Sequence, residues 1–196
     1  MNYRGIIMRI DELFKDIGRL SPEQLKKGQR LTKGEDNFTQ VSGRVFYMAV
    51  SQIRTNDIAK GDQARGLDTL TVYSPSEYNQ MKCYLGKNNS SGYAIKDGSE
   101  LVSVFSSQGS SGDAIVQDAI ENGATHLDCF ATRDRMGNIS GGLYTLYSRN
   151  GFKIDTDMNS GEPGEAYSIV NGISSFVDDE DNVHPEDPRV VIFMKL

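Results

Sequence analysis

The chain has 196 residues, with 21 lysines and arginines against 27 aspartates and glutamates, a formal net charge of −6 and a hydrophobic content of 37%. That suits one packed domain with an accessory segment, and no apolar run approaches the length needed to cross a bilayer. Met1 to Ile7 is too short for the apolar core of a secretory signal, so the expectation is a cytosolic protein.

Residues 1–60 are modestly basic, through Arg4, Arg9, Lys15, Arg19, Lys26, Lys27 and others. Such an arm could meet nucleic acid or an acidic partner, but the chain carries no nucleic-acid-binding motif and a solvated surface is the simpler reading. Ile10, Leu13, Phe14 and Ile17 recur at helical spacing and predict an amphipathic first helix. Ser21-Pro22-Glu23-Gln24 supplies a cap, a first-turn proline and a capping-box partner for a second helix toward Leu31. After a break at Gly34 to Asn37, the apolar run within Val41 to Ile53 fits a strand or a buried helix equally. Thr55 to Gly66 is polar and glycine-punctuated and reads as a linker. The predicted division is therefore a largely helical extension over 1–66 and a main domain over 67–196.

In the main domain, Leu67 to Tyr73 predicts a strand, and Ser74-Pro75-Ser76-Glu77 predicts the start of a helix ending near Leu85-Gly86. Gly92 to Lys96, Asp97-Gly98 and Glu100 to Phe105 form a hairpin signal. Ser106 to Gly112 is a glycine-serine loop, followed by a helix with Ala114, Ile115, Ala119 and Ile120 on one stripe that stops at Asn122-Gly123. Thr125 to Ala131 predicts another strand. Leu143, Tyr144, Leu146 and Tyr147 then lie on helical spacing, Gly151 suits a left-handed cap, and Phe152 can fold back as its apolar contact. Tyr167 to Val170 and Val190 to Met194 are further strands, the second apolar enough to lie inside a sheet.

The stretch Leu146-Tyr147-Ser148-Arg149-Asn150-Gly151-Phe152 resembles the LYxxxGF signature of the GNAT superfamily of N-acetyltransferases, and the order strand, glycine-serine loop, helix, strand, helix before it is similar to that family's core. The resemblance covers residues 67–154 and the last strand. It implies an α/β (α+β) fold: a mixed, mostly antiparallel central sheet flanked by helices, here with an N-terminal helical extension, in which the strands at Glu100 and Thr125 are adjacent and splay at their carboxyl ends. It implies acetyl-CoA as co-substrate and an amine-bearing small molecule or protein as acceptor.

By the same resemblance, Tyr147 protonates the departing thiolate, backbone near Val104 and Phe105 polarises the thioester, and Gln108, Gly109, Ser110, Ser111, Gly112 and Ala114 receive the pyrophosphate. Small residues let backbone N–H groups approach an anion closely at a helix start, which is the physical reason for such a loop. Gln108 stands one place early for the family pattern, and Asp113 would repel a pyrophosphate if it pointed inward. Ser140 takes the place of the family's asparagine, and either it or Asn138 could cap the helix. Glu100 is the first choice of base and Asp128 the second.

Three readings stand open on this basis: an N-acetyltransferase, a catalytically silent binding or inhibitory module on the same fold, and a nucleic-acid modifier using the basic arm. The size, acidic body and atypical first third are reminiscent of bacteriophage or mobile-element accessory proteins, which would place it in the cytoplasm of a bacterial or infected host cell. Cys83 and Cys129 lack metal-ligand spacing and read as buried thiols, and neither His126 nor His184 suggests zinc. Asp178-Asp179-Glu180-Asp181 with His184, Glu186 and Asp187 lacks the ligand alternation of a calcium loop and reads as a solvated acidic loop.

Overall fold

The computed structural model describes residues 38–59, 70–106, 112–159, 167–178, 180 and 182–196. The two helices predicted before Leu31 lie outside them. None of the described helices is long and apolar enough to cross a membrane.

Strand β1 (Thr39–Val41) leads through Ser42 into helix α1 (Gly43–Ile58), where the Ser42 hydroxyl accepts from Val45 N at 3.4 Å. The ambiguous apolar run thus resolves as helix, because Phe46 and Val50, one turn apart, both bury completely. Gly43 lets α1 approach its neighbour: a Cβ there would stand 2.3 Å from the backbone of Tyr78 and Asn79. Leu70 to Tyr73 is not a strand. The capping box at Ser74 is present, with Ser74 N donating to Glu77 Oε2 at 2.7 Å and Glu77 N to Ser74 Oγ at 3.3 Å.

Helix α2 (Pro75–Tyr78) is only that one turn, and the predicted continuation to Leu85 is instead strand β2 (Lys82–Leu85). Local capping starts a helix there, but Cys83, Tyr84 and Leu85 gain more by burying against both faces of the sheet than a helix stripe could provide.

Strands β3 (Ser91–Lys96) and β4 (Glu100–Ser106) form the predicted hairpin, with Asp97 and Gly98 at φ 50° and 82°. The β3–β4 register shifts after Ala94↔Val102 and resumes at Gly92↔Phe105, so Ser103 and Val104 both oppose Tyr93. Ser103 carries the bulge at φ 51°, anchored by Tyr78 Oη at 2.8 Å and by donation to Thr71 O at 3.0 Å. Helix α3 (Gly112–Glu121) then crosses to β5 (His126–Arg133).

A short β6 (Ile139–Ser140) pairs back on β5, helix α4 (Gly142–Arg149) follows, and β7 (Lys153–Ile154), β8 (Tyr167–Val170), β9 (Ile173–Val177), β10 (Val183–His184) and β11 (Arg189–Lys195) complete the chain. The strands join in one sheet of order β1-β2-β3-β4-β5-β11-β9-β10, antiparallel except for the parallel neighbours β4 and β5. As predicted, β11 lies inside, paired with β5 from Thr132↔Arg189 to His126↔Lys195.

One core lies under α3 and α4, built from residues such as Leu101, Ile115, Val116, Leu127, Cys129, Tyr147, Phe152 and Ile192. The other lies under α1 and α2, with Phe46, Val50, Tyr78, Cys83, Val102 and Phe105. Because β1 pairs with β2 and α1 packs into this second core, sheet and core run continuously across the division placed at residue 66.

Candidate functional site

The chemistry implied by the sequence needs a gap in the sheet, and β4 and β5 provide one. They pair only at Glu100↔His126, where Ser99 O accepts from Thr125 N at 2.8 Å and from His126 N at 3.3 Å. Beyond that point β4 runs on to Ser106 and β5 to Arg133 with no further partnered residues between them. Among the described residues no strand pairs with β4 on its β5 side beyond Glu100, and the Ser103 bulge shifts the register at Val104. Val104 is half-buried against the first core, whereas the Phe105 side chain packs on Phe46 at 5.8 Å between ring centroids. Phe105 therefore offers this gap backbone only.

Helix α3 is the next described element after β4 in the chain, and its amino end carries the positive end of the helix dipole. Gln108, Gly109, Ser110 and Ser111 lie outside the described residues. Gly112 is short of room for a structural reason: a Cβ would meet Leu146 of α4 at 3.1 Å. Asp113 is held by Arg149 of α4 (Nε to Oδ1 2.6 Å, Nη2 to Oδ2 2.7 Å) and by Asn150 Nδ2 at 2.7 Å. The Arg149 bond, then that from Asn150, keeps its carboxyl below the usual carboxylate range. Ala114 is half-buried on the next position.

Helix α4 ends in a complete double-bonded cap. Phe152 N donates to Tyr147 O and Gly151 N to Ser148 O, each at 3.2 Å, with Gly151 at φ 104°. The Tyr147 and Phe152 rings meet edge-on at 6.1 Å, which is the apolar contact this cap calls for. Its amino end departs from the expectation: the cap position is Gly141, without a side-chain bond. Ser140 instead sits in β6 with its hydroxyl 3.0 Å from that of Thr132, and Asn138 binds Asp134 through Nδ2 at 2.8 Å.

Tyr147 is 4% exposed, and its hydroxyl makes no hydrogen bond to a described residue. Burial first, and then the neighbouring Cys129 and Asp128, push its phenol up, so it stays protonated at neutral pH. The phenol is thus held in its protonated form, a weaker acid than a free tyrosine and not a base.

The two candidate bases share one face. On β5, Leu127, Cys129 and Ala131 enter the α3–α4 core, so Asp128 and Phe130 face the α1 side, and Glu100 shares the parity of Val102 on that same side. Glu100 is bound to Lys96 at 3.1 Å, at the closed end of the gap. Asp128 makes no ion pair with a described residue; it keeps accessible surface, yet the protein around it withholds enough water, with Glu100 adding its charge, to raise its pKa. Burial raises the Tyr73 phenol, with Lys96 opposing the rise and Glu100 and Asp128 adding to it.

The buried thiols are raised, Cys83 to about 11 and Cys129 to about 12, by burial, and neither acts as a nucleophile at neutral pH. Among the described residues no group of three or more histidine, cysteine or carboxylate side chains could hold a metal. In the acidic loop, His184 sits between Asp178 at 2.8 Å and Glu186 at 3.0 Å. Comparison with protein-family models, with curated proteins and with solved structures found no match to this chain.

Proposed function

We propose that the protein is an acetyl-CoA-dependent N-acetyltransferase acting on an amine-bearing small molecule. The observation that carries the reading is the gap between parallel β4 and β5 beyond Glu100↔His126, with a protonated buried tyrosine on one side of β5 and a carboxylate without an ion pair to a described residue on the other. Acyl transfer to an amine needs three things at one place: a proton acceptor for the ammonium, a donor to the developing oxyanion and a proton donor for the leaving group.

Asp128 takes the proton from the ammonium. The nitrogen then attacks the thioester carbonyl, forming the C–N bond, while peptide N–H groups at the Val104 bulge stabilise the oxygen. The C–S bond breaks, Tyr147 gives its proton to the thiolate and regains one from the acylated nitrogen, and Asp128 releases the ammonium's proton to solvent. The positive end of α3, with Asp113 already neutralised by Arg149, suits the pyrophosphate. Glu100 holds Lys96 and takes no part.

Release of free thiol from acetyl-CoA in the presence of primary amines tests this. Amine-dependent release at rates above the protein-free blank is expected. A folded protein that binds acetyl-CoA yet releases no thiol with any primary amine supports the silent-module reading instead. Gly112 favours that second reading in one respect, since packing against Leu146 accounts for it without a ligand.

A further inference from the structure

On the face of the sheet that carries α1 and α2, the apolar cover stops at β4. The core beneath those two helices takes its strand residues from β1 to β4 and none from β5 or β11. Yet β5 and β11 are neighbours inside the sheet, and on this face Phe130 stands directly opposite Val191 and Asp128 opposite Phe193. Phe130, Val191 and Phe193 belong to neither core, and Phe130 is 53% exposed. Polar pairs close the patch, Thr132 with Arg189 at one end and His126 with Lys195 at the other. An apolar patch with a polar rim, set on interior strands, is the form of a docking surface rather than of a sheet edge left to water.

The chain holds a segment of matching chemistry. Ile6, Ile10, Leu13, Phe14 and Ile17 make one apolar stripe at helical spacing. They lie outside the described residues, which begin at Phe38, immediately before β1. In the strand order β1 stands four spacings from β5, a distance of about 19 Å. The twenty residues between Ile17 and Phe38 extend to about 70 Å, enough to round the β1 edge and cross to β5. A segment tethered in this way meets the patch at an effective concentration on the order of millimolar, an advantage that a separate partner lacks.

We propose that residues 6–17 dock on the β5–β11 face, with the stripe from Ile6 to Ile17 covering Phe130, Val191 and Phe193. The amino-terminal segment is then a layer of the folded domain and not a free arm. This does not rest on the transferase reading.

The test uses the full chain and two substitutions that respect local propensity, Phe130→Thr on the strand and Leu13→Gln in the segment. With the cover in place each should lower the melting temperature by about 3 °C or more, and either loss should shrink to about half or less when the other substitution is already present, because both remove the same contact. Light scattering should show a monomer. The parent should leave the dye 8-anilinonaphthalene-1-sulfonate dark, and Leu13→Gln should brighten it by exposing the patch. An unmoved melting temperature in Leu13→Gln, additive losses in the double variant, or bright dye with the parent overturns the inference. A parent dimer that Phe130→Thr splits gives the face to a second copy and overturns it as well.

Discussion

Replacing Tyr147 by phenylalanine removes one oxygen and keeps the ring that packs edge-on against Phe152 at 6.1 Å. A buried tyrosine usually loses stability on this change because its hydroxyl is hydrogen-bonded, typically by about 0.5–1.5 kcal/mol. Here the hydroxyl has no partner among the described residues and still reaches solvent, so its removal breaks no protein hydrogen bond. Tyr147→Phe should therefore stay within about 0.5 kcal/mol of the parent, a shift of less than roughly 2 °C in melting temperature for a chain of this size. Turnover should fall. Loss of a general acid costs about a hundredfold to ten-thousandfold, and because a thiolate leaves fairly readily the low end applies. Scanning calorimetry and thiol release on the same two preparations measure both. A fall of several degrees with unchanged turnover would refute the reasoning and make Tyr147 a packing residue.

Asp128→Asn should lower turnover by about a hundredfold or more, while Glu100→Gln, which only releases Lys96 from a partly exposed pair worth about 0–1 kcal/mol, should leave turnover nearly unchanged; steady-state rates on the two variants decide the order of the bases. The same substitution at two glycines should have opposite signs. Gly151→Ala forces a left-handed backbone at φ 104° on an L-residue and should cost about 1–2 kcal/mol, whereas Gly142→Ala, in open space at the start of α4, should gain up to about 1 kcal/mol, both read from denaturant midpoints. His184 has its pKa raised above 6.5 by the bond to Asp178 first and Glu186 second. Its stabilisation is accordingly full below pH 6.5 and lost as pH rises through the folded value, so the melting-temperature gap between the parent and His184→Gln should be wider at about pH 6 than at about pH 9.

What was legible in the sequence was legible locally. The Tyr147 to Phe152 cap, the Asp97-Gly98 hairpin and the Ser74 capping box are each encoded within a few residues, and each is present. Lys82 to Leu85 misled because a good helix start at Ser74 says nothing of where the helix stops. Only the pairing with β3 and burial on both faces fix those residues as a strand. The Val41 to Ile53 run could not be divided for the same reason, since burial of Phe46 and Val50 depends on Tyr78 and Phe105, distant in the chain. Among the candidate residues, Tyr147 was marked by its motif. Nothing in the sequence says that Lys96 would bind Glu100, and Asp113 looked repulsive because Arg149 becomes its neighbour only when α3 and α4 pack.

The central claim is that the gap between β4 and β5 receives the thioester end of acetyl-CoA. Calorimetric titration of the full chain with acetyl-CoA tests it most directly. One site per chain with a dissociation constant of about 1 mM or tighter, worth at least about 4 kcal/mol, is predicted. No heat of binding up to millimolar acetyl-CoA would contradict it.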